Sequence, residues 1–202
     1  MQLRHLLITL VLFAGVMSNL SAAQPSPSPV RREANELQLM LNIAVRMAVF
    51  AANGELFVPM GSISPAERKV EAQEILNYLT GKNSPDFVAT TRPLLPIPRQ
   101  WDGMGVIEHH DRLNVELENA IAKGEINQPN ARLLRASVLE IGQLIRRAIG
   151  LAKDSLLQEN ERSLKEKLVD LKILLIAARG SYKDPLLEGG ARSVMENLPP
   201  DR

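Results

Sequence analysis

The chain contains no cysteine. This absence excludes disulfides, thiolate metal sites, covalently attached haem and attachment to a membrane through an N-terminal lipid-modified cysteine. The fold must therefore be stabilised by its hydrophobic core, and 202 residues are enough to form such a core in a single domain.

Aromatic residues are scarce, and the chain has no large excess of either charge. Aromatic residues make up 3% of the chain, which argues against stacking platforms for bases or sugars. The chain has 24 basic and 23 acidic residues, and without residues 1–23, which hold one basic and no acidic residue, it has 23 of each. A nucleic-acid binder would normally show a basic excess, so the balance argues against that class.

Enzyme signatures are missing as well. The sequence has no Gly-rich phosphate loop, no G-x-S-x-G elbow and no H-E-x-x-H motif, so we predict a protein that is not an enzyme. A Ser–His pair assembled by folding stays open as an alternative. Beyond residue 23 it would have only His109 and His110 as imidazole bases.

The start of the chain has the pattern of a secretory signal. Arg4 and His5 precede an apolar run over residues 6–17, and the small residues at 21–23 match a signal-peptidase site. The apolar run is shorter than the roughly 20 residues that a membrane-spanning helix needs. We therefore expect residues 1–23 to be a cleaved signal peptide, with no transmembrane anchor after cleavage and a periplasmic or extracellular location.

The chain beyond residue 23 has the pattern of an all-α protein, a four- or five-helix bundle. Residues 24–30 alternate Pro with small residues and are expected to form a spacer before a bundle domain over 31–180. Apolar residues recur at three- and four-residue intervals over 31–52, which predicts the first helix. Ser64, Pro65 and Glu67 form a capping box that predicts a second helix over 65–80.

Prolines at 85, 93, 96 and 98 predict a Pro-rich crossover between helices two and three. The third helix is expected over 104–123, and Pro129 begins a fourth. The apolar stripe then changes phase, which predicts a turn near 150–155 and a fifth helix ending at Arg179, although one continuous helix of about 50 residues is the alternative. The tail over 181–202 is expected to be mostly irregular.

Three sets of residues are candidates for binding. Glu108, His109 and His110 are potential metal ligands on one helical turn, although adjacent positions on a helix point about 100° apart. Their alternative role is structural. His110 is then partly buried and held by one hydrogen bond, and His109 lies at the surface.

Met47 and His110 lie on the expected inner faces of helices one and three, as an axial pair for noncovalent haem would. Met47 equally suits an ordinary aliphatic core. Arg99 and Trp101 precede helix three and could anchor a partner, since Trp and Arg dominate interface hot spots. Alternatively, Trp101 pins the crossover to one end of the bundle.

Residues 71–107 resemble a group of uncharacterised exported helical proteins of bacteria. The likeness rests on Glu71-Ala72-Gln73-Glu74-Ile75-Leu76-Asn77, then Gly81, Ser84-Pro85-Asp86-Phe87 and Asp102-Gly103-Met104-Gly105. In that group a helix leads through a Gly-Pro-aromatic turn into an Asp-Gly loop. A histidine expected beside the helix is Glu71 or Gln73 here. The resemblance implies a helical fold and no activity.

Taken together, these patterns predict an exported noncatalytic interaction module of the cell envelope or extracellular space. It would be a monomer or weak homodimer, with no cofactor, and would present a helix face or the crossover to an unknown protein or envelope surface. The alternative is a ligand-binding bundle that holds haem or a metal between helices one and three.

Overall fold

The computed structural model describes residues 27–54, 63–91, 93–180 and 189–200, and the expected signal peptide lies outside these residues. Within the described residues the chain forms six helices and no strand, which confirms the all-α prediction. The helices are α1 Pro29–Asn53, α2 Pro65–Thr80, α3 Val106–Ala122, α4 Gln128–Leu156, α5 Glu161–Arg179 and α6 Gly190–Asn197. All six lie in one compact unit, Ser28–Pro199.

Two long helices form the centre of the bundle. α1 packs against α2, α3, α5 and α6, and α4 also packs against each of these helices. The apolar stripe that predicts α1 is fully buried, with Leu37, Leu41 and Ala44 at 0% exposure. No helix in the described part of the chain is long and apolar enough to cross a bilayer.

The ends of α1 and α2 follow the local sequence. α1 begins at Pro29, two residues earlier than predicted, because proline is well placed in a first helical turn. It ends at Gly54, whose φ of 78° permits the left-handed cap. At the start of α2 the Ser64 hydroxyl accepts the Glu67 N–H and the Glu67 carboxylate accepts the Ser64 N–H, as the capping box predicts.

The turn between α4 and α5 lies later than the sequence predicts. α4 continues through residues 150–155 to Leu156, and the chain turns over 157–160. The Asn160 side chain then accepts the N–H groups of Arg162 and Ser163 and starts α5. This turn excludes the continuous-helix alternative. The predicted turn is too early because Gly150 is compatible with the helix interior.

The tail also contains a helix, although the sequence predicts a mostly irregular segment. α6 buries Ala191 and Val194, followed by Leu198, against the core. The Arg31 guanidinium donates to the carbonyls of Leu198 and Pro199 at 3.0 and 2.7 Å. Because these bonds join residues far apart in sequence, no local pattern in the tail predicts them.

Candidate functional site

The distinctive feature of α2 is a buried polar face. Glu71, Glu74 and Asn77 recur three residues apart and lie on one side of the helix, with exposures of 1%, 7% and 1%. Burying such groups is unfavourable unless each finds a hydrogen-bond partner. Their partners belong to the crossover, the segment from Gly81 to Gly105 that joins α2 to α3.

The two glutamates hold the middle of the crossover mainly through its backbone. The Glu71 carboxylate accepts the N–H of Leu94 at 2.6 Å and that of Leu95 at 3.3 Å. The Glu74 carboxylate accepts the Thr90 hydroxyl at 2.9 Å and the Ile97 N–H at 3.5 Å. These bonds give the Pro-rich segment partners that its own sequence cannot provide.

Asn77 and Gln73 hold the first part of the crossover. The Asn77 amide donates to the Val88 carbonyl at 2.7 Å and accepts the Val88 N–H at 3.0 Å. Gln73 donates to the Asp86 carbonyl at 3.1 Å and to the Asn77 side chain at 2.9 Å. We call Glu71, Gln73, Glu74 and Asn77 the clamp.

Burial also affects the charge of the clamp. Desolvation raises the pKa of Glu71 above its ordinary value, and the N–H groups of Leu94 and Leu95 oppose this shift because they stabilise the carboxylate. The nearby charges of Glu74 and Glu67 raise the pKa of Glu71 further. The position is therefore one where proton binding and the conformation of the crossover are linked.

The clamp leaves apolar side chains of the crossover on the outside. Val88 is 56% exposed and Leu94 is 41% exposed, although the backbone of each is bonded to α2. Leu95 and Ile97 point the other way and pack against the core. The crossover thus has an inner side, Leu95 and Ile97, that packs against the core, and an outer side, Val88 and Leu94, that is exposed.

Trp101 holds the end of the crossover. Its ring lies 5.8 Å from the Tyr78 ring between centroids, the Lys82 ammonium lies 5.2 Å from its centroid, and its indole N–H donates to the Met104 carbonyl. Of the predicted partner-binding pair, Trp101 is therefore engaged within the fold, whereas Arg99 is exposed. Burial, together with the charges of Asp102 and Glu36, raises the pKa of Tyr78.

His109 lies between two carboxylates. Its Nδ1 is 3.5 Å from Glu33 Oε2, and its Nε2 is 3.6 Å from Asp102 Oδ2. The imidazole is buried, which corrects the expectation that His109 lies at the surface. Through this cluster the start of α1 and the end of the crossover meet α3.

His110 points into the interface between α3 and α4. Its Nε2 is 2.8 Å from the Val138 carbonyl oxygen, and its Nδ1 is 2.9 Å from Asp111 Oδ1. Met47 is 1% exposed within the aliphatic core. The ring nitrogen that haem iron would need is thus occupied by a backbone contact, and the geometry lends no support to a Met47–His110 haem site.

The predicted metal ligands are also separated by their contacts. The Glu108 carboxylate accepts the Gly105 N–H at the start of α3, while His109 faces Glu33 and His110 faces Val138. Within the described residues no group of three or more His, Asp or Glu side chains could hold a metal ion.

The clamp has a signal in the sequence that a search for apolar stripes does not detect. Glu71, Glu74 and Asn77 lie three residues apart, ahead of a Pro-rich segment.

No protein-family model, no curated protein and no solved structure matches this chain.

Proposed function

We propose that this protein is an exported, noncatalytic interaction module that binds another protein of the cell envelope or extracellular space through the outer side of its crossover. The observation that carries the proposal is the clamp. Four polar side chains of α2 fix the crossover backbone while Val88 and Leu94 remain exposed.

The length of the crossover supports this function. Connections longer than about 12–15 residues without secondary structure are uncommon in compact domains and usually have a role. The segment from Gly81 to Gly105 exceeds that length and contains no helix or strand among its described residues. The buried carboxylates of α2 that hold it, Glu71 and Glu74, carry a desolvation cost that a simple linker would not require.

The outer side has a suitable chemistry for a protein partner. Val88 and Leu94 offer apolar area, and Arg99, farther along the crossover, is exposed. A segment already held in one conformation loses little entropy when it binds, which favours affinity. Export is part of the proposal and depends on the signal pattern in residues 1–23.

Site-specific photo-crosslinking in an exporting host tests the binding surface. A photoreactive amino acid replaces Val88 or Leu94, and Val115 on α3, which is 57% exposed against 56% for Val88, is the matched control. We expect the same discrete adduct from positions 88 and 94 and none from position 115. Equal labelling at all three positions, or no adduct at any, would contradict the proposal.

Export is tested separately by the mass of the protein recovered outside the cytoplasm. We expect an N-terminus at Gln24. Recovery only from the cytoplasm with residues 1–23 still attached would contradict export without bearing on the crossover surface.

A further inference from the structure

The exposed face of α4 has an internal symmetry that the proposed function does not use. Arg147, Gly150, Leu151 and Asp154 line one side of a groove of about 470 Å³ between α4 and α5. Arg147 and Asp154 are equally distant from the point between Gly150 and Leu151. They have opposite charges and lie about 10 Å apart along the helix axis.

We infer that this face of α4 binds the same face of a second copy of the chain, with the two α4 helices antiparallel and centred between Gly150 and Leu151. A two-fold interface requires a surface that is complementary to itself. In the antiparallel pairing Arg147 of each copy faces Asp154 of the other. Leu151 of each copy faces Gly150 of the other.

The shape of the face fits this arrangement. Gly150 is exposed, and a Cβ built there would meet no atom within 4 Å, so the helix surface has a depression at this point. Leu151 is half-buried next to it. A small residue opposite a leucine lets two helices approach closely and interlock.

The charges are available for the pairing. Arg147 makes no ion pair within the described residues, and Asp154 has only a distant one, with its Oδ2 4.0 Å from Lys167 Nζ. Opposite charges facing each other across the interface favour the antiparallel direction of the two helices. A parallel pairing centred at the same point would place Arg147 against Arg147 and Asp154 against Asp154.

The same symmetry gives a partner to the large apolar side chain that is most exposed among the described residues. Leu157, at the end of α4, is 77% exposed. The antiparallel register places it against Leu144 of the second copy, and Leu144 is partly buried on the same face. Because one helix face is a small interface, we expect dissociation constants of about 10–100 µM.

Sedimentation velocity of the purified full chain over about 1–500 µM tests the inference. We expect reversible dimers for the wild type and at least a tenfold higher dissociation constant for Arg147→Glu and for Asp154→Arg, each of which brings like charges together. Leu39→Glu on α1 is the control, since Leu39 is 55% exposed and lies outside the face.

Mixing the two charge variants is the decisive step. In the antiparallel register a copy with Arg147→Glu and a copy with Asp154→Arg are complementary at both ends, so the mixture should associate with an affinity within about threefold of the wild type. A wild type that stays monomeric, single variants that behave like Leu39→Glu, or a mixture as weak as its components would each overturn the inference.

Discussion

At the scale of single residues, two glycines of α4 predict opposite effects of the same substitution. A Cβ at Gly142 would lie 2.5 Å from His110 Cε1 and 2.6 Å from Nε2, so alanine must displace a ring that faces the Val138 carbonyl. We expect Gly142→Ala to destabilise the fold by about 1–3 kcal/mol. Gly150→Ala meets nothing and should stabilise it by about 0.5–1 kcal/mol.

Urea unfolding of both variants at about 1 µM, below the expected dimer concentration, checks this pair. A gain in stability for Gly142→Ala would show that α3 and α4 are not in close contact at His110.

Two glutamates of α2 predict opposite pH dependences. Burial raises the pKa of Glu71 above 4.5, so its contribution to stability is complete below that pH and is lost as the pH rises through the raised pKa. Hydrogen bonds with Ser64 lower the pKa of Glu67 below 4.5. Its contribution is therefore present above pH 4.5 and is lost as the pH falls through the lowered pKa.

The variants Glu71→Gln and Glu67→Gln test these signs, since glutamine retains one oxygen acceptor. The stability of the wild type relative to Glu71→Gln should fall as the pH rises above 4.5, measured by urea unfolding at each pH. Its stability relative to Glu67→Gln should instead rise as the pH rises toward 4.5 from below. A slope of the same sign for both would contradict the assigned environments.

At the scale of elements, Asn77 tests whether α2 holds the crossover. Asn77→Ala removes both side-chain bonds to Val88. We expect the free energy of unfolding to fall by about 1–3 kcal/mol, because the backbone groups of Val88 that lose their partners are partly buried. Hydrogen exchange at the Val88 amide should become at least about tenfold faster. Thr91→Ala, at an exposed position of the crossover, is the control and should leave exchange at Val88 unchanged.

The start of α2 and its buried side differ in how well the sequence predicts them. Ser64, Pro65 and Glu67 define the start of α2 locally, and the prediction is confirmed. The buried side of α2 was not predicted, because Glu71, Glu74 and Asn77 are polar and a search for apolar stripes treats such residues as exposed. Their burial depends on backbone groups of the crossover, which the sequence does not place in space.

The site residues show the same limit. Residue type makes His109 and His110 potential ligands. Apart from the contact of His110 with its neighbour Asp111, however, their partners are Glu33, Asp102 and Val138, which lie on other elements. Spacing along one helix predicts which residues share a turn. It does not predict which acceptors other helices bring to them.

At the scale of the whole molecule, the burial of α6 predicts that the stability of the bundle depends on this last helix. Ending the chain after residue 188 removes three buried side chains, Ala191, Val194 and Leu198, and exposes their contact surface on the other helices. We expect a loss of about 3–5 kcal/mol in the free energy of unfolding. Glu196→Ala, an exposed change on the same helix, should cost less than about 0.5 kcal/mol.

Calorimetry of the truncated chain and of Glu196→Ala checks this prediction. An unchanged melting temperature after truncation would mean that α6 is not part of the core.

The bonds that hold the crossover have a consequence for the evolution of its sequence. Most clamp bonds are made to backbone N–H and C=O groups, which every residue other than proline possesses in full. The identities of Val88 and Leu94 are therefore not constrained by the bonds that fix their positions. Mutations at these two sites can alter what the surface recognises without altering the scaffold, so this segment is suited to rapid divergence and to the grafting of foreign recognition sequences.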